Sequence, residues 1–233
     1  MPTTPYESRI ELHGHGHVWL ERYSGGDEDI ANSARVSVEN YSDDPSKNEG
    51  LVKRLLKDKH GTPFEDVFLK FDIKTPIAVV REFHRHRVPW SYSEKSLRYV
   101  EASPEFYVPA DDHVRRQEGS SMSYDYTPID DEELVAFTQG QMDTCYAYCM
   151  ETYRVLLERG VAKELARMVL PVGLFTHMKA RTNLRGLMAF LSLRNHPAAM
   201  QEIREIAAAM EELAFQVAPV AMTAFVENGR VAP

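Results

Sequence analysis

The sequence predicts an α+β fold, on three observations. Apolar residues alternate through Phe64–Val80 (Val67, Leu69, Phe71, Ile73), the period of a half-buried strand. From Asp130 onward they recur at helical spacing instead. Between the two lies a polar, broken stretch, Pro104 to Pro128. With 233 residues and 43% hydrophobic content, the chain can bury a substantial core. It carries no internal repeat, low-complexity tract or Pro/Gly-rich linker, so 1–233 reads as a single domain.

Ile10–Tyr23 reads as a strand that places His13, His15 and His17 on one face. Such a face offers either a metal site or a plain edge strand. With glycines between the imidazoles and no cysteine nearby, the edge strand is favoured and no metal is expected. Asp27 reads as the cap of a short helix, Asp29–Ser33. Asp43-Asp44-Pro45-Ser46 marks a turn that opens a helix, Ser46–Lys57, ending near Lys59. Pro76 restrains the residue before it, which sets a strand-to-helix junction ahead of Ile77–Val80.

Residues 104–128, with Phe106, Tyr107, Tyr124 and Tyr126, read as a long loop suited to a mobile lid. Asp130–Arg159 is expected to be a helix whose stripe of Leu134, Phe137, Met142, Cys145, Tyr146, Cys149, Tyr153 and Leu156 is mostly core, with Gly160 as its stop. A helix over Val161–Val169 should break at Pro171, followed by an extended Val172–Thr176 and closing helices at Asn183–Leu193 and Ala198–Val217.

Charge narrows the range of partners. Lys and Arg total 27 against 35 Asp and Glu, a formal charge of -8. No global basic field draws this chain to nucleic acid or to an anionic membrane, so an anionic ligand needs a local basic pocket. No apolar run approaches the roughly 18 to 20 residues of a membrane span, and the opening MPTTPYESRIELHG lacks signal-peptide order, so a cytoplasmic location is expected. Cys145 and Cys149, four apart on one helix, suit neither a disulfide nor a complete zinc site, and read as core residues. Neither has a flanking His, Lys or Gly turn that would activate a thiolate.

The densest cationic group is His84-Arg85-His86-Arg87, followed by Ser91, Tyr92, Ser93, Glu94, Ser96 and Arg98. A solvated basic turn and a shaped pocket are both open readings. The hydroxyls and the carboxylate favour the pocket: Arg forks for phosphate, hydroxyls as neutral donors, Glu94 as an acceptor. A second polar group (Arg167, Arg181, Asn183, Arg185, Arg194) is interleaved with apolar Leu187, Met188, Phe190 and Leu191. It could line a site along one helix strip, or it could pair with Glu202 or Glu205 on a helix surface.

Arg85-His86-Arg87 followed by Ser96 resembles the signature of the flavin-dependent thymidylate synthases, an Arg-His-Arg, seven residues, then Ser. Ser33–Ser37, His60–Glu65, Phe106–Pro109, Arg167–Pro171 and Asn183–Arg194 fall in the family's order, over about residues 10 to 226. The resemblance implies a mixed or antiparallel sheet core flanked by long helices, and a homotetramer with shared active sites. It implies FAD as cofactor, NADPH as reductant and methylenetetrahydrofolate as carbon donor. The expected reaction is reductive methylation of carbon 5 of dUMP, with no protein thiol needed.

By similarity, His60, Thr62, Arg85, His86, Arg87, Glu94, Asn183 and Arg185 face the flavin side, with His60 near the folate entrance. Glu82, Ser96, Arg98, Arg167 and Arg194 face the nucleotide. Arg194, beside the uracil imide, is the expected catalytic residue, because its charge favours the ionised base and pushes electron density toward carbon 5.

The chain also departs from the pattern. Eight residues, Val88–Lys95, separate Arg87 from Ser96; Ser93 and Ala189 replace common asparagines; Glu82 replaces a common glutamine. An added residue inside a helix would rotate everything after it by about 100°, so a loop or bulge must absorb it. Glu82 only accepts when ionised, whereas Gln also donates, so a ribose with its extra hydroxyl becomes acceptable and UMP is an alternative substrate. A flavin- and nucleotide-binding module without catalysis is a further alternative.

Overall fold

In the computed structural model, β1 (Arg9–Leu12) pairs antiparallel with β2 (Gly16–Ser24), so the expected single strand is two. Gly14 and Gly16 interrupt its pattern, and glycine weakens a strand interior. The structure describes residues 9–12, 16–120 and 123–233; His13 and His15 lie outside them. Helix α1 (Asp27–Arg35) follows, but Asp27 does not cap it. Its carboxylate instead accepts from the amides of Val220 and Ala221 at 2.9 and 2.8 Å, the start of a later helix. Helix α2 (Pro45–Lys57) is capped by Asp44, with Pro45 in its first turn. Then come β3 (Phe68–Pro76), α3 (Ile77–Phe83), which starts where Pro76 ends the strand, and β4 (Ser91–Glu94).

The stretch expected to be a loop contains a ribbon. Strands β5 (Arg115–Ser120) and β6 (Ser123–Pro128) pair antiparallel, and their side chains are almost all exposed. Backbone pairing holds this ribbon with little burial, which is why no apolar alternation announced it. Helix α4 (Glu132–Glu158), capped by Asp131, runs 27 residues. Of its expected core stripe only Tyr153 is buried, and Phe137 is 61% exposed; the other buried residues of the helix, Val135 and Met150, lie outside that stripe. Cys145 is exposed and Cys149 half-buried, so neither is a core residue as expected. Short α5 (Lys163–Ala166) leads through a 3-10 turn to β7 (Phe175–Asn183).

Helices α6 (Leu184–Arg194), α7 (Gln201–Phe215) and α8 (Pro219–Glu227) complete the chain. Helix α8 was not expected; Pro219 supplies its first turn and Asp27 its cap, the latter from far away in sequence.

Two compact units result: the chain up to Lys74 with Arg81–Ser93 and Met178–Pro233, and Thr75–Val80 with Glu94–His177. The first holds most of a five-stranded sheet, in the order β1-β2-β3-β7-β4. Its Val18, Leu20, Leu69, Phe71, Ile73, Met178 and Ala180 are buried, as are Leu187, Phe190, Ile206 and Met210 of α6 and α7. In the second unit Ala102, Met150, Tyr153, Ala166 and Leu174 form a separate core, and the Tyr153 hydroxyl accepts from the Ala102 amide at 3.2 Å.

Candidate active site

The basic run lies in the turn between α3 and β4, and aromatic packing holds that turn. Phe83 stacks on Phe190 at 4.9 Å, and Trp90 stacks on Tyr92 at 5.8 Å. The Tyr92 hydroxyl shares its one proton between the carbonyls of Phe83 and His86, at 2.9 and 2.8 Å, which ties the run to one phenol. Burial pushes the Tyr92 phenol above its ordinary range, so it stays a donor. Gly186 lets the turn approach α6: a Cβ there would stand 2.5 Å from Cγ of Pro89. Residues 84–90, between α3 and β4, lie outside any helix. His84, Arg85 and Arg87 are exposed, and the two guanidiniums are unpaired among the described residues.

Two expected site residues, Glu82 and His86, meet on a third, Arg194. Its Nη1 donates to Oε2 of Glu82 at 2.6 Å, and its Nε to Nε2 of His86 at 2.9 Å. The Arg194 side chain is only 18% exposed, so this pairing is partly shielded from water. Neither Glu202 nor Glu205 is its partner. An acceptor Nε2 leaves the proton of a neutral imidazole on Nδ1, which fixes the tautomer of His86. Burial, then the Arg194 charge, push the His86 pKa down to about 4, with Glu82 opposing and Arg85 adding to the shift. The ring stands edge-on to Phe190 at 4.9 Å.

A second group forms around the turn after α2. His60 and Thr62 are exposed, and the side chain of Arg185 lies across Gly61, where a Cβ would come 2.6 Å from Cζ. Arg185 Nη1 donates to Glu65 Oε1 at 2.6 Å and Nε to the Pro233 carbonyl at 3.3 Å. Buried Asn183 caps α6, accepting from the Gly186 amide at 2.9 Å.

The remaining candidates belong to the second unit. Glu94 accepts from the Thr176 hydroxyl at 2.9 Å. Ser96 accepts from the Arg98 amide at 3.4 Å, and Arg98 reaches Glu164 at 3.5 Å. Arg167 is half-buried and opens the 3-10 turn before Pro171. Sequence reasoning missed Glu65, Tyr92 and Thr176 as partners. Only Tyr92 had a signal, its place in the hydroxyl run. Glu65 lies 120 residues from Arg185 and Thr176 lies 82 from Glu94, so spacing carries no trace of either pair.

Comparison with known proteins gives concordant matches. The profile of a family described as "Thymidylate synthase complementing protein" matches residues 19–220. A flavin-dependent thymidylate synthase of Streptomyces avermitilis is 41% identical, over 93% of both chains. One of Streptomyces coelicolor is 39% identical over 97% of both. Among solved structures, the UMP/dUMP methylase PolB of Streptomyces cacaoi bound with 5-Br UMP superposes with a TM-score of 0.88 at 37% identity, covering 97% of this chain and all of that one. The same methylase bound with 5-Br dUMP gives 0.85 at 36% identity, over 96% and 100%.

Proposed function

The chain belongs to the flavin-dependent thymidylate synthase family and is an enzyme of the methyltransferase type, and we propose that it methylates carbon 5 of the uracil of dUMP, and of UMP as a second substrate. Methylenetetrahydrofolate is the proposed carbon donor and NADPH the proposed reductant. The observation that carries this reading is the Glu82–Arg194–His86 group: a shielded guanidinium held from two sides, with the unused N–H groups of Nη1 and Nη2 left for a ligand.

The donors suit a flavin dinucleotide. Arg85 and Arg87 are exposed and unpaired among the described residues, which fits a pyrophosphate. Thr62 is exposed and follows Gly61, over which Arg185 lies. A bound flavin supplies hydride and one-carbon transfer. The protein's own part is electrostatic. Arg194 stabilises negative charge on the uracil imide, Glu82 keeps that guanidinium oriented, and His86, neutral, presents one Nδ1–H donor. Ser96, Arg98 and Arg167 are proposed to hold the nucleotide.

Two features favour UMP beside dUMP: Glu82 in place of glutamine, and the likeness to a methylase named for both nucleotides. We further propose a homotetramer in the cytoplasm. Exposed Phe137 and Tyr148 on α4 support an assembly face, and among the described residues no helix is long and apolar enough to cross a membrane.

The test is turnover of purified enzyme on dUMP and UMP with methylenetetrahydrofolate and NADPH, reading 5-methylated product. Arg194→Ala should lower kcat by about a hundredfold or more while flavin stays bound. Near-normal turnover of the variant would remove Arg194 from the chemistry.

A further inference from the structure

A cavity of about 730 Å³, a volume within the range of small-molecule sites, is lined by residues of β2, β3, β4 and β7. None of the residues assigned to flavin or nucleotide lines it. Its cations come from three strands: Arg22 of β2, Lys70 of β3, Lys179 and Arg181 of β7. Ser91 and Ser93 of β4 add hydroxyls. Residues two apart on a strand share a face, so Lys179 and Arg181, like Ser91 and Ser93, converge by the pleat alone.

The register makes this face costly without an anion. A bulge in β2 between Leu20 and Arg22 sets Arg22 directly opposite Lys70. Like charges directly opposite are destabilising, and bulges often re-aim side chains near sites. Two carboxylates sit behind the lysines. Glu21 meets Lys70 at 3.0 Å and Lys179 at 3.2 Å, and buried Asp72 also pairs with Lys179. Four cations against two carboxylates leave two charges over. Arg22 and Arg181 are both exposed and have no partner among the described residues. In a chain of formal charge -8 this local excess runs against the overall balance. Beside them Phe68, on the same face as Lys70, is 49% exposed and offers a ring platform.

We propose that this cavity binds the anionic arm of a cosubstrate, a phosphate or carboxylate gripped by Arg22 and Arg181, with an adjoining flat group against Phe68. Within the proposed reaction two cosubstrates carry such an arm: a pyridine dinucleotide through its 2′-phosphate, and a folate through its glutamyl tail. The anion recognition is the same for both.

The experiment is calorimetric titration of the full enzyme, loaded with FAD and dUMP, using adenosine 2′,5′-bisphosphate, AMP and tri-γ-glutamate as separate probes. The expected result is binding of the bisphosphate in preference to AMP, or of triglutamate, weakened about tenfold or more by Arg22→Ala and by Arg181→Ala. Flavin content of both variants should hold and neither Tm should fall, since neither side chain supports the fold and Arg22→Ala relieves a like-charge pair. Bisphosphate binding assigns the dinucleotide, and triglutamate binding the folate. No binding by either, binding of AMP as tight as of the bisphosphate with triglutamate inert, or binding that ignores both substitutions overturns the proposal. The rationale for these probes rests on the proposed reaction, but the titration reads binding alone, so loss of the proposed methylation activity registers separately, in turnover.

Discussion

Arg194 donates its Nε proton to Nε2 of His86 at 2.9 Å, across 108 residues of sequence. Burial first, and then this cation, keep a histidine of the basic run neutral. The charges of Arg194 and Arg85 both oppose a proton on the imidazole, and Glu82 favours one. A proton added at Nε2 would break the hydrogen bond and face a guanidinium.

This sets a pH dependence of stability. His86 titrates near 4 in the fold, below the ordinary histidine value of 6.5. Between those values the unfolded chain binds a proton that the folded chain refuses, so the folded state loses stability as pH falls from about 6.5 to 4. His86→Gln should flatten that part of the curve, read as the denaturant midpoint at pH 7, 5.5 and 4. An unchanged slope would show that other groups set it.

Glu82 is the counterion of Arg194 and the candidate reader of the ribose. One carboxylate oxygen is committed to the guanidinium at 2.6 Å, and the other remains for a ligand. Glu82→Gln should reduce kcat/KM for UMP relative to dUMP by about tenfold, the size of one charge-assisted hydrogen bond. An unchanged ratio would confine Glu82 to orienting Arg194.

Gly186 sets the approach of the basic turn to α6. Gly186→Ala would drive a methyl against the rigid Pro89 ring and against Thr182. We expect a loss of about 1 to 3 kcal/mol and a lower flavin content, because the turn bearing Arg85 and Arg87 must shift. Thermal unfolding together with the flavin absorbance ratio checks this. A variant with wild-type Tm and full flavin content would show that the turn accommodates the methyl.

The thiols are predicted to be dispensable. Burial and the neighbouring Cys145 raise the Cys149 pKa, which disfavours the thiolate a nucleophile requires. The Cys145→Ser/Cys149→Ser double variant should keep kcat within about twofold of the parent. A loss of several orders of magnitude would demand a thiol step.

Local rules written into the chain were enough for its class, most helices and the junction at Pro76. Turn chemistry and proline restraint act over a few residues, so the turn at Asp44-Pro45 and the junction at Pro76 could be read directly. The tertiary structure decided which partners those residues take. Asp27 was legible as a cap, but only folding could assign it to a helix that starts at Pro219. Arg194 was legible as an arginine needing a partner, but the partner is Glu82, not Glu202 or Glu205. The stripe on α4 shows the converse: helical periodicity specifies which side chains share a face, not whether anything covers it, and Phe137 stays exposed. Pairings across 100 residues or more depend on packing of the whole chain, and sequence spacing alone has no term for that.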